Sequence, residues 1–155
     1  MKTKGFTLVE IMIVVGVIAL LATMTIPQMM RSRLNANEVA TIGNMRALYH
    51  GCIAYNSMSN PHVYPDNLTD LTAPVSTPPY INQAIASATS AATVYQGYYF
   101  AYTVAADKQS FGIIAWPASF GRTGTKNFFV GATGRVTYTS TDGEEPDANS
   151  PPIEY

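Results

Sequence analysis

A chain of 155 residues holds one ordinary domain plus an appendage, and its formal net charge of -1 gives no bulk electrostatic case for nucleic-acid binding. Charged residues make up 12 % of the chain, about half the usual share for soluble domains. A single cysteine, Cys52, excludes an intramolecular disulfide, and with two histidines beside it a zinc site is not expected.

Lys2 and Lys4 open the chain, and an apolar run from Phe6 to Ile26 follows with Glu10 as its one charge. As a helix this run spans about 30 Å at roughly 1.5 Å per residue, the thickness of a bilayer core. A secretory signal peptide fits the basic start, but the run is too long and has no clean small-x-small cleavage site before a change of composition. A plain membrane anchor accounts for everything except Glu10, since a carboxylate at membrane depth is costly unless paired. The lysine pair favours a cytoplasmic N-terminus, against which Arg31 and Arg33 weigh on the other side of the run. Gly16 permits close helix approach. Pro27 removes a backbone donor, which predicts a kink or local unwinding at about Ile26.

The string MKTKGFTLVE resembles the leader and cleavage region of the type IV prepilin family, which includes the pseudopilins of type II secretion and of competence systems. The match consists of a short basic leader, then Gly5, Phe6, Thr7, Leu8, Val9 and Glu10, then the hydrophobic helix. The resemblance implies cleavage after Gly5 by a prepilin peptidase and N-methylation of the new terminus at Phe6. A side chain at position 5 would obstruct the peptidase, which gives the glycine a reason. Cleavage would place an amine about one helical turn from Glu10. The Glu10 carboxylate would then pair with Phe6 of the same or a neighbouring subunit and set axial register, as a lone polar residue does in a coiled coil. A proline at this distance from the mature N-terminus, with a melted stretch near it, is also a family feature.

Residues 31–58 read as an amphipathic continuation of the same helix, about fifty residues in all. Val39, Ile42, Met45, Tyr49 and Cys52 form the apolar stripe, widened by Leu48 and Ile53, with Glu38, Asn44 and Arg46 on the other face. Cys52 on that stripe reads as a buried structural thiol. Asn56 to Pro61 mark the exit. A short helix over 65–71 follows, with Asp66 as its N-cap and Pro74 at its end, and the Ala/Ser/Thr-rich stretch 84–93 reads as a surface loop.

Alternation predicts a strand from Val94 to Val104, a second from Phe111 to Pro117, a third over Asn127–Val130 and a fourth over Arg135–Thr139, with turns at 107–109 and 131–134. The expected fold class is α+β and pilin-like, a long N-terminal helix packed on a small antiparallel sheet. The expected division is leader 1–5, transmembrane and filament-core helix 6–30, amphipathic helix 31–58, and a globular head 59–155. The head divides into a variable loop (59–93), a sheet (94–139) and an acidic tail (140–155).

Asp142, Glu144 and Asp147 offer hard oxygen donors, a weak Ca²⁺ candidate without EF-hand spacing, and a solvated acidic tail is the favoured reading. The glycines at 121, 124 and 131–134 do not form a phosphate loop. His50 and His62 have no patterned catalytic partners, so no enzyme activity and no cofactor are expected. The tyrosines of the 95–102 stretch read as sheet core and surface, not as a base-stacking platform. Taken with the resemblance, the expectation is a structural subunit of a type IV pilus or pseudopilus. It is inserted as a single-pass inner-membrane precursor and moved into a periplasmic or extracellular filament. Its partners would be copies of itself, the prepilin peptidase, an inner-membrane assembly platform and an assembly ATPase. The alternatives are a minor subunit acting as a tip or binding module, and a passive membrane-anchored periplasmic domain.

Overall fold

A computed structural model describes residues 5–73 and 75–153. Lys2, Lys4, Pro74 and most of the expected leader lie outside the described residues. The elements in chain order are α1 (Leu8–Met58), a 3-10 helix (Leu68–Leu71), α2 (Gln83–Ala86), β1 (Tyr98–Val104), β2 (Phe111–Pro117), β3 (Asn127–Gly131) and β4 (Val136–Thr139). The long N-terminal helix and the antiparallel sheet give the α+β, pilin-like architecture expected from the sequence. By its contacts the chain divides into two compact units, Met1–Arg33 and Leu34–Tyr155.

In the first unit α1 begins at Leu8 and carries large apolar side chains exposed all round, from Leu8 to Met30. Helical residues continue through Pro27, so the unwinding expected at Ile26 is absent. Proline removes one amide, and the carbonyl four residues earlier, that of Thr23, loses its usual partner. The Thr23 and Thr25 hydroxyls in this stretch donate to the Leu20 and Leu21 carbonyls at 2.7 and 2.9 Å.

In the second unit the four strands form a meander in the order β1-β2-β3-β4, each antiparallel to the one before. The register puts Phe100 opposite Ala115, Ala115 opposite Phe128, and Ile113 opposite Val130. These residues share one face, and the period of two buries it whole. Met45, Leu48 and Cys52 of α1 join the same buried cluster, with Leu68, Leu71 and Ile85 from the connecting segment. Leu48 and Cys52 are four residues apart and Met45 is three before Leu48, so they occupy one helix face.

Four local expectations are corrected. The buried helix face is Glu38, Thr41, Met45, Leu48, Gly51 and Cys52, while Val39 is 69 % exposed. Asp66 is not a cap: its carboxylate pairs with Lys108 at 2.7 Å, and Asp70 accepts from the Asn67 N–H at 2.9 Å instead. The 84–93 stretch is not a plain surface loop, because α2 starts on an Asn82 cap and Ile85, Ala86 and Ala88 are buried. Finally, β1 starts at Tyr98, not Val94. Gln96 and Gly97 take positive φ values of 52° and 81°, which turn the chain and break the strand.

Candidate functional site

Gly5 and Phe6 lie in the non-helical lead-in to α1, with Phe6 84 % exposed. A Cβ built on Gly5 meets nothing within 4 Å, so packing within the chain does not require glycine there. Thr7 is the residue before the helix, and Glu10 is in its first turn. The two form a reciprocal cap. Glu10 Oε2 accepts from the Thr7 N–H and from the Thr7 hydroxyl, both at 3.0 Å, and Thr7 Oγ1 accepts from the Glu10 N–H at 3.2 Å. This is the capping box of a Thr-x-x-Glu sequence, which satisfies donors that a helix start leaves open. It also sets a carboxylate at the positive end of the helix dipole. The sequence reading gave Glu10 an assembly role and missed the cap, although Thr7-Leu8-Val9-Glu10 ahead of an apolar run is its direct signature. Pro27 stands well inside α1, and α1 is long and apolar enough to cross a membrane.

In the second unit the polar residues of α1 clasp two loops. Glu38 Oε1 accepts from the Thr125 N–H and hydroxyl, each at 2.8 Å, and Lys126 Nζ stands 3.9 Å from Oε2. Asn37 donates to the Thr123 carbonyl at 3.0 Å, and Asn44 donates to Gln96 Oε1 at 2.9 Å. The buried Tyr98 hydroxyl donates to the Lys126 carbonyl at 3.0 Å. Burial first, and the Glu38 carboxylate second, push the Tyr98 phenol up from its ordinary range. A Cβ at Gly124 would fall inside the Tyr98 ring system, so the loop approaches this closely only with glycine there. The glycine-rich loop of 118–126 is therefore a packed element held from the helix side.

The acidic segment is tied to the outer face of the sheet. Asn127 Nδ2 donates to the Thr141 and Glu144 carbonyls at 2.9 Å each, and the Thr137 hydroxyl donates to the Asp147 carbonyl at 2.6 Å. Pro146 is buried beside exposed Asp142, Glu144, Glu145 and Asp147. The Asp147 carboxylate accepts from the Asn149 and Ser150 N–H groups and from the Ser150 hydroxyl. The Ser150 hydroxyl leads the effects that hold it below the usual carboxylate range. Asp142, Glu144 and Asp147 do not converge: among the described residues no group of three or more His, Cys, Asp or Glu side chains is placed to hold a metal.

A groove of cavity volume ≈ 880 Å³ opens between the 35–46 face of α1 and β3, β4 and the C-terminal segment. Val39, Ile42, Phe128, Tyr138 and Ile153 give it apolar walls, and Lys126 stands over the Tyr138 ring, 4.9 Å from its centre. Cys52 is fully buried, and desolvation pushes its thiol up to about 12. It is a packing residue.

Residues 1–26 match the family model of the Prokaryotic N-terminal methylation motif, the signature of type IV pilins and pseudopilins. No curated protein and no solved structure matches the chain. The motif and the apolar helix that it opens support a pilin- or pseudopilin-like subunit.

Proposed function

We propose that the chain is a structural subunit of a type IV pilus or pseudopilus, made as a membrane precursor and polymerised through its N-terminal helix. The observation that carries this reading is the methylation motif at 1–26 running directly into a helix whose apolar side chains are exposed all round. In this reading residues 1–5 are the leader, 6–30 the membrane and filament-core segment, and 31–58 the helix that the head packs on. A prepilin peptidase cuts between Gly5 and Phe6, and Phe6 is then N-methylated. An assembly platform and its ATPase extract the subunit from the inner membrane into a periplasmic or extracellular filament.

Glu10 has two successive partners. In the uncut chain its carboxylate is held by Thr7. After cleavage the amine of Phe6, on the same or a neighbouring copy, supplies the opposite charge that an acid in an apolar bundle needs. Its chemistry is packing plus one charge pair, and no catalytic step is assigned to any residue.

The experiment is mass spectrometry of the mature N-terminus combined with shear fractionation. The expected result is N-methylated Phe6 in the sheared filament fraction. An intact Met1 on a protein that stays in the membrane would defeat the reading and leave a passive anchored domain. Glu10→Leu should still be cleaved but fail to assemble, and normal fibres from that variant would remove Glu10 from the mechanism.

The apolar groove of the head favours a second reading, a scarce subunit that presents the head as a binding module. That subunit would depend on another for incorporation, whereas a major one self-assembles in abundance.

A further inference from the structure

The residues after the acidic segment return to the sheet as a short extra strand. The Tyr138 N–H donates to the Pro151 carbonyl at 3.0 Å, and the Ile153 N–H donates to the Val136 carbonyl at 3.2 Å. Between these bonds Thr137 faces Pro152 in an antiparallel bridge. The approach is pinned at Asp147, whose carbonyl accepts from the Thr137 hydroxyl and whose carboxylate accepts from the Ser150 N–H at 2.8 Å. Since β4 is the last strand of the meander, this segment occupies its outer edge.

In an antiparallel ladder, successive residues direct their amide and carbonyl groups alternately toward and away from the partner strand. Pro151 and Ile153 turn toward β4, so Pro152 between them turns outward. Pro152 has no N–H. The Ser150 N–H is already donated to Asp147. The outward edge over 150–152 therefore offers carbonyls but no amide for a further strand. Unpaired strand edges template association with other chains, and proline at an edge prevents it.

We propose that residues 147–153 are an edge guard, a proline-bearing strap that closes β4 against strands of a second copy of this chain. Sheet extension between heads is thereby blocked at the β4 edge. The proposal does not depend on the filament reading, because it concerns the head in either state.

The test uses the full chain in detergent micelles, over a concentration series, with amide hydrogen exchange and light-scattering mass as readouts. One variant ends after Asn149. The other is Pro152→Val, which keeps the strap but adds an outward amide. The truncated chain should exchange the Tyr138 amide about tenfold faster or more when dilute, and it should form larger species when concentrated, with that amide protected again. Pro152→Val should associate in the same way, with its new amide gaining protection as concentration rises. Either variant keeping the wild-type mass at every concentration overturns the proposal, even if Tyr138 exchanges faster. If the truncated chain loses its cooperative melt, Pro152→Val alone decides.

Discussion

Glu38 is a carboxylate set among core residues, and what it holds decides what its loss would do. Glu38→Ala strips the half-buried Thr125 N–H and hydroxyl of their acceptor. A buried donor left unmade costs about 1–3 kcal/mol. The unfolding free energy of the head should fall by that amount, read as a lower denaturation midpoint with an unchanged slope, and Glu38→Gln, which keeps an acceptor, should lose less. Periodicity put Glu38 on the polar face because its partner is 87 positions further along the chain, beyond the reach of any local pattern. The Thr7–Glu10 cap was within reach, since both partners stand within one helical turn.

Cys52 gives the pH dependence. An unfolded thiol ionises at about 8.5, whereas burial holds the native one protonated up to about 12. Above pH ~8.5 the unfolded chain therefore binds fewer protons than the native one, and stability falls as pH rises. This contribution is complete below ~8.5 and lost on the way to about 12. The phenols of Tyr98 and Tyr102, both raised chiefly by burial, extend the fall above pH ~10. Melting temperature against pH should drop less steeply in Cys52→Ala than in the parent between ~9 and ~12. At neutral pH a thiol reagent should label Cys52 only after denaturant is added.

At the level of elements, β2 falls where alternation placed it because every second residue is buried, and β3 and β4 fall within a residue of their expected bounds although the acidic segment buries part of their outer face as well. The N-terminal limit of β1 failed for a conformational reason, the positive φ at Gln96 and Gly97. The Ala/Ser/Thr stretch failed because small side chains carry little hydrophobic signal even where Ala86 and Ala88 are fully enclosed. The acidic segment is a matter of carboxylate direction. Asp147 is occupied by its own loop amides, while Asp142 and Glu144 face solvent. Millimolar Ca²⁺ should therefore leave the melting temperature unchanged in the parent and in Asp142→Ala. A rise with Ca²⁺ that Asp142→Ala abolishes would instead make this segment a calcium site.

At the scale of the molecule, the described residues form one enclosed core, and every residue of that core follows Leu34. The protein lacking residues 1–33 should therefore stay in solution without detergent and melt cooperatively, with Cys52 still protected from thiol reagents. Insolubility, or immediate labelling of Cys52, would show that the apolar segment is needed for the head to fold. The N-terminal motif was legible because it is a contiguous string at a fixed place, whereas the ties that fix the helix to the loops of the head, such as Glu38 to Thr125, join distant residues.

Each strand of the meander bonds to the one that leaves the ribosome or the translocation pore just before it, so hairpins can zip in order of emergence with little loop entropy to overcome. The stretch from Pro151 to Ile153 follows all four strands in the chain and adds a further rung outside β4. Until it arrives, a nascent head has a sticky border, and a stall or premature stop ahead of Pro151 would release chains in that condition.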